Sequence, residues 1–434
     1  MLAAMPASSL PSRSPGDACA RSSDDACPGA LRLHRADDGA LARIRIPGGV
    51  LTPRQAEVLG HAAERFGDGE LHLTSRGNVQ LRGLGPDCGA ELAGLLDEAG
   101  LLPSARHERV RNMVASPLSG LDGLGAGDVR PWLTGLDSLL CASDRATALS
   151  GRFLFALDDG RGDVDALGAD LTLLGHGDGG ALLRIGPGDS VLRVPWADGP
   201  RAALIAAEAF LDAARGPGAW RVKDLPDGAA AALPAEVVRR LRQAGLTVAP
   251  HHHPRPLGAQ PPAPGPVPGS HRHHTALSVG VPLGRLDRAQ WRLLAGAGEL
   301  RLTPWRGAVV TGVAPDRAGS LLSGLSDAGL ITGPGSPWAG VGACIGQPGC
   351  AKSLADVRAE AGAAVGPAGR LPVYWSGCER RCGHPHGEWI DVVAVPGGHR
   401  ISHVRGDRTA SAVTVRDDPG ALAAAVAAAR GARS

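Results

Sequence analysis

Lysine is nearly missing from this chain. Of its 45 basic residues only Lys223 and Lys352 are lysines, so arginine carries the positive charge. A guanidinium grips a carboxylate through two parallel hydrogen bonds, which an ammonium cannot do. Aromatic residues make up only 3%, which leaves alanine, leucine and valine to build the core. No stretch approaches the ~18 consecutive apolar residues of a membrane span, so no membrane partner is expected. The opening MLAAMPASSLPSRSPGDACARSSDDA has no charged segment ahead of an apolar one. That excludes a secretory signal and leaves residues 1–26 as an expected disordered leader. The net charge of +2 lacks the basic surplus of phosphate neutralisation, so nucleic acid is not an expected partner either. A P-loop is absent. GHGDGG, Gly175 to Gly180, has the glycine spacing of a dinucleotide fingerprint, but it runs into ALLRIGPGD, an apparent strand. The fingerprint needs a helix N-terminus there, so it is rejected.

What is present is a repeat. At 434 residues the chain can hold several domains, and 43% hydrophobic residues mark it as globular. Gly69 to Leu102 aligns without a gap on Gly298 to Ile331, at a constant offset of 229 and with 13 identities in 34 positions. Each copy opens Gly-Glu-Leu-x-Leu-Thr, alternates apolar and polar residues, and closes in an apolar helix. LARIRIPGG and TALSVGVPLG read as a further strand before each copy, followed by a helical stretch. The expected fold class is α+β, built on two βαββα units related by a pseudo-two-fold. The first unit covers 27–103 and the second 275–335. Residues 104–250 read as a mixed α/β domain and 336–434 as a second one. Between the halves, 251–274 is rich in proline and holds six of the fifteen histidines. It reads as an extended, solvated linker.

Eight cysteines with no export signal point to a reducing, cytoplasmic setting and to metal or redox chemistry. Four are patterned: Cys344 and Cys350 as C-x5-C, Cys378 and Cys382 as C-x3-C, with 27 residues between the pairs. Structural zinc favours C-x2-C knuckles, so this spacing suits an iron–sulfur cluster better than zinc. Glycines 342, 346, 349, 377 and 383 flank the ligands and let backbone N–H groups reach the sulfurs. Cys19, Cys27, Cys88 and Cys141 are scattered, and Cys27 sits just ahead of the first repeat.

A C-x5-C…C-x3-C pattern after two related α+β repeats resembles the sulfite and nitrite reductase superfamily. LHLTSRGNVQLRGL, VRNMVASP and LSGRFLFALDDG are similar to its basic segments. The resemblance covers roughly residues 27 to 400. It implies ferredoxin-like half-domain repeats, sirohaem-type mixed domains, and a [4Fe-4S] cluster held by Cys344, Cys350, Cys378 and Cys382. CPGALRLHRADDGALARIRIPGG, GCAKSLADVR and Gly383-His384-Pro385 resemble one branch, the precorrin-3B synthase family. There the tetrapyrrole is substrate: the branch implies an O2-dependent monooxygenase of cobalamin biosynthesis acting on precorrin-3A. It also implies a mononuclear non-haem iron besides the cluster.

Either tetrapyrrole is fringed with carboxylates, for which Arg76, Arg82, Arg111 and Arg152 are the expected forks, with Asn78 beside them. Arg76 and Arg82, six apart, are expected on one face of a strand pair. His384 and His386, next to Cys382, could donate a proton, ligate iron or meet a substrate carboxylate; His384 is the catalytic candidate. With no dinucleotide site in the chain, electrons are expected from a ferredoxin or an NAD(P)H-dependent reductase. The alternatives are a sirohaem enzyme reducing sulfite or nitrite, and a non-enzymatic electron carrier or zinc-stabilised binding protein.

Overall fold

The computed structural model describes residues 28–431, apart from positions 217, 257–260, 270–273, 386, 407 and 417. The expected leader, Cys19, Cys27 and His386 lie outside the described residues.

The first repeat runs β1 (His34–Ala36), β2 (Gly39–Ile44), β3 (Val50–Leu51), α1 (Pro53–Phe66), β4 (Leu71–Leu73), β5 (Val79–Leu84) and α2 (Gly89–Glu98). The mixed domain after it runs β6 (Met113–Ala115), α3 (Arg130–Ala142), β7 (Phe155–Asp158), β8 (Leu171–Gly175), β9 (Gly180–Ile185), β10 (Ser190–Pro195), α4 (Gly199–Ala214), α5 (Asp227–Gln243) and β11 (Ala249–His252). The second repeat runs β12 (Gly265–Pro266), β13 (Thr275–Gly280), β14 (Arg285–Leu286), α6 (Arg288–Ala295), β15 (Glu299–Leu302), β16 (Gly307–Val313) and α7 (Pro315–Asp327). The last domain runs β17 (Val341–Ala343), α8 (Val357–Ala363), β18 (Val373–Ser376), β19 (Glu388–Val395), β20 (Gly398–Arg405), β21 (Arg408–Val415) and α9 (Pro419–Arg430).

Both repeats start their first helix in the same way. Thr52 accepts from Gln55 N and Asp287 from Gln290 N, each in a reciprocal capping box. The Gln55 side chain then reaches Ala99 O and the Gln290 side chain Ala328 O, tying the two helices of each unit together. α1 has 14 residues and α6 has 8. That six-residue difference takes the offset between the copies from 235 at the helix starts to the 229 read in the sequence.

The repeats also exchange strands. β3 of the first pairs with β15 of the second, Leu51 opposite Leu300. β14 of the second pairs with β4 of the first, Leu286 opposite Leu71. The chain crosses over at Pro47–Gly49 and Pro282–Gly284. Gly49 has φ +72° there, and a Cβ would stand 1.9 Å from Leu302 O, so only glycine passes. One hydrophobic core serves both halves, with Leu59, Leu81, Trp291, Leu294 and Leu300 in it. Trp291 Nε1 donates to Ala56 O across the seam at 2.7 Å.

The two mixed domains share a topology as well. β6, β7 and β8 run parallel, then β9, β10 and β11 antiparallel. β17, β18 and β19 run parallel, then β20 and β21 antiparallel. With few aromatics, α4 covers its sheet through Ala202, Ala203, Ala206, Ala207 and Ala209, whose small side chains permit close approach.

Gly175 ends β8 and Gly180 begins β9, so GHGDGG is a hairpin turn. The segment 251–274 begins within a strand: His251 and His252 pair with Val191 and Ser190 at the edge of the first mixed sheet. An edge strand tolerates a proline such as Pro250, because its N–H is not needed by the ladder. No helix among the described residues is long and apolar enough to cross a membrane.

Candidate functional site

A cavity of about 390 Å³ opens where the first repeat meets the first mixed domain. Its wall is formed by Pro28, Arg43 and Arg45 on and just after β2, Thr74, Ser75, Arg76 and Asn78 of the β4–β5 turn, and Arg152 before β7. Among the described residues, four guanidinium groups line it and no carboxylate does. Arg45 is buried and anchored by Gly151 O at 3.1 Å and Arg109 O at 3.3 Å. Arg152 lies over the Trp220 ring at 4.2 Å. Asn78 shapes the floor: its Oδ1 accepts from Ile46 N at 2.9 Å, and its amide donates to Asn112, which donates to Phe153 O.

Of the arginines expected from sequence, Arg76 and Arg152 meet in this cavity. Arg82 and Arg111 do not line it, because each has found a carboxylate of the chain itself. Arg111 is buried and forks Asp137 at 2.7 and 2.8 Å, with Leu101 O as a further acceptor. Arg82 forks Asp38 at 2.7 and 2.8 Å. Arg76 and Arg82 fail to share a face because the turn at Gly77, φ +66°, interrupts the strand alternation between them. Arg43 and Arg45 were missed, although Arg-Ile-Arg on a strand places both arginines on one face. Arg111→Met is expected to cost roughly 3–5 kcal/mol of stability, the usual result of orphaning a buried ionic partner. Thermal melts check this, and anion affinity below the melt should not move.

The four patterned cysteines sit on loops of the last domain. Cys344 follows β17, with its N–H on Trp375 O at 2.9 Å, and its sulfur accepts from Gly377 N at 3.2 Å. Partial burial pushes the Cys382 thiol up; Arg380 draws it down, and Cys378, Cys344 and Cys350 push it up again. All three of the other patterned cysteines thus act on Cys382. Gly377 has no room for a side chain, since a Cβ would meet Ser353 Oγ at 1.8 Å. Soft thiolates on tight glycine-flanked loops, with an N–H already aimed at one sulfur, fit an iron–sulfur cluster. Tyr374 Oη donates to Cys382 O at 2.6 Å, and Arg306 of the second repeat donates to Gly383 O at 2.9 Å. His384 is exposed, stacks on Trp389 at 5.5 Å and directs Nδ1 at Pro385 O. The cavity and this loop are linked through the repeats: a Cβ on Gly77 would stand 2.8 Å from Leu302 O, just ahead of the turn that carries Arg306.

The pseudo-two-fold shows what the other half has become. After β6 stands Ser116, with its N–H on Leu157 O at 3.0 Å and its hydroxyl accepting from Asp159 N at 3.2 Å. That is the bonding of Cys344 without the sulfur. Arg76 is matched by Trp305, which packs against the buried cluster of Val114, Leu154, Ala156, Val164 and Ala169.

A mononuclear iron would need histidine or carboxylate ligands. Among the described residues Asp68, Glu70 and His72 come together, His72 Nε2 lying 3.6 Å from Asp68 and 3.8 Å from Glu70. They do not fit a cation. A ligating histidine offers its second ring nitrogen as a donor to an acceptor, whereas His72 Nδ1 faces the Arg358 guanidinium at 3.1 Å. Arg285 already forks Glu70. Burial, with Arg285 and Arg82 nearby, pushes Arg358 down to about 10.

Comparison with known proteins places this geometry. Residues 33–99 match the nitrite/sulfite reductase ferredoxin-like half domain. The fold resembles that of the Mycobacterium tuberculosis NirA protein, with TM-score 0.65 and 20% identity, over 89% of this chain and 79% of that one. The fold is therefore that of the NirA protein, and its first repeat matches the half domain of nitrite and sulfite reductases. The chain is 26% identical to a precorrin-3B synthase from Sinorhizobium sp over 404 residues, 87% of this chain and 82% of that one. The ferredoxin–nitrite reductase of Synechococcus elongatus is 34% identical, but over 28% of this chain and 25% of its own. The resemblance read from the sequence holds on both levels.

Proposed function

We propose that this chain is a precorrin-3B synthase: an enzyme that hydroxylates bound precorrin-3A with O2 and closes a lactone from its ring A acetate, in cobalamin biosynthesis. The observation that carries the reading is the cavity whose wall brings Arg43, Arg45, Arg76 and Arg152 together. Such a wall suits a ligand edged with several carboxylates, because each guanidinium can fork one. The relative of that name, matched over most of both chains, supports the same reading.

In this reading Cys344, Cys350, Cys378 and Cys382 hold a [4Fe-4S] cluster, which supplies single electrons when bound. Arg45, fixed by two carbonyls, sets the orientation of the ligand. Arg152, stacked on Trp220, closes the mouth. Asn78 keeps the floor rigid. His384, two residues beyond Cys382, is the proton donor of this reading. O2 gives one atom to carbon and the other to water, so electrons and protons must come from outside. An external ferredoxin or NAD(P)H-dependent reductase supplies the electrons.

The second reading keeps sirohaem in the cavity and reduces sulfite or nitrite; the regional match to nitrite reductases favours it. A visible spectrum of anaerobically purified protein, with iron and sulfide counted, separates the two. A broad shoulder near ~400 nm, as Cys-ligated clusters give, together with label from isotopic O2 in the product of added precorrin-3A, is the expected result. Sharp tetrapyrrole bands would move the assignment to the reductase. Zinc without colour would return the cysteines to a structural role.

A further inference from the structure

Cys350 belongs to the last domain, but the first repeat holds it. Cys350 lies on no helix or strand, and both peptide groups that flank it are fastened from outside. Arg82 Nη2 donates to Gly349 O at 2.9 Å. On the other side, Ala351 N donates to the Asp37 carboxylate. Arg82 is 5% exposed and locked by its two-point ion pair with Asp38. Asp37 and Asp38 form the tip of the β1–β2 hairpin. The contact is tight: a Cβ on Gly349 would stand 2.7 Å from Asp38 Oδ2 and 3.0 Å from Arg82 Nη2. Other cysteines are held differently. Cys344 hangs from the sheet through Trp375 O and Gly377 N, and the Cys382 loop is gripped by Tyr374 and Arg306.

We propose that Asp37, Asp38 and Arg82 are positioning residues for Cys350, a clamp by which the first repeat retains one corner of the metal site. The proposal rests on the cluster reading above and adds to it which iron is protected and by what. With the clamp open, Cys350 swings away and the iron it holds becomes exchangeable, while the other three cysteines keep their places.

The test uses full-length Arg82→Met and Asp37→Ala proteins, reconstituted anaerobically. Asp37 is exposed, so the second variant keeps the test open if the first does not fold. Ferricyanide takes one electron from a [4Fe-4S]2+ cluster, which releases one Fe2+ and leaves [3Fe-4S]+. The expected result is a three-iron paramagnetic signal appearing roughly tenfold faster in both variants, the rate change of one such lost restraint. In metal-free protein, alkylation of Cys350 relative to Cys344, read by peptide mass spectrometry, should rise in parallel. Loss of the whole cluster with all four cysteines equally alkylated would mark a merely structural role and overturn the clamp. Unchanged rates on a fully loaded wild-type protein would overturn it as well. If the wild-type protein takes up neither iron nor sulfide, the cluster reading falls. The alkylation ratio then decides the clamp alone: a rise upholds it and no rise overturns it.

Discussion

Cys344→Ser is expected to abolish iron and sulfide binding and all turnover while leaving the fold intact. A serine hydroxyl stays protonated near neutral pH and is a hard ligand, so one iron loses its thiolate. The fold should not suffer, because the molecule already contains that substitution. Ser116 occupies the equivalent place in the first mixed domain and takes the same N–H at the same 3.2 Å as Cys344. The melting temperature of the metal-free variant should therefore match that of metal-free wild type. Full cluster absorbance in the variant would remove Cys344 from the site.

Arg45→Met is expected to weaken tetrapyrrole binding about 30–100-fold, the equivalent of ~2–3 kcal/mol for a charge-assisted hydrogen bond. Arg45 is the most buried of the four cavity arginines and is held by two backbone carbonyls. Its guanidinium is pre-organised, so little ordering entropy opposes its contact with a ligand. Exposed Arg152 should matter less. Titration of each variant with a carboxylate-rich tetrapyrrole checks the ranking, and the cluster content should not change. A dissociation constant for Arg45→Met within twofold of wild type would reduce Arg45 to a strut.

The repeat and the cysteines were legible because both are patterns along the chain. Thirteen identities at one offset expose a duplicated unit, and thiols at set intervals expose a metal site. The arginines were legible only in part, because a guanidinium's role depends on which carboxylate it meets. Arg82 finds Asp38, 44 residues away, and Arg111 finds Asp137, 26 residues away. Nothing near either arginine in sequence announces its partner. Arg76 and Arg152, far apart in sequence, meet in one wall. Arg45 hid inside an ordinary strand. The exchanged strands could not be read at all, since Val50–Leu51 and Arg285–Leu286 are too short to show a period.

That exchange imposes an order on synthesis. The sheet of the first repeat is unfinished until Leu286 lies beside Leu71, and those residues are 215 apart. At ~5–20 residues per second the ribosome needs roughly ten to forty seconds to cover that distance. Throughout that interval the edge of β4 stands open, able to pair with any other unfinished chain. The first half must wait for the second, so a growing chain depends on protection of that edge before it has a site to fill.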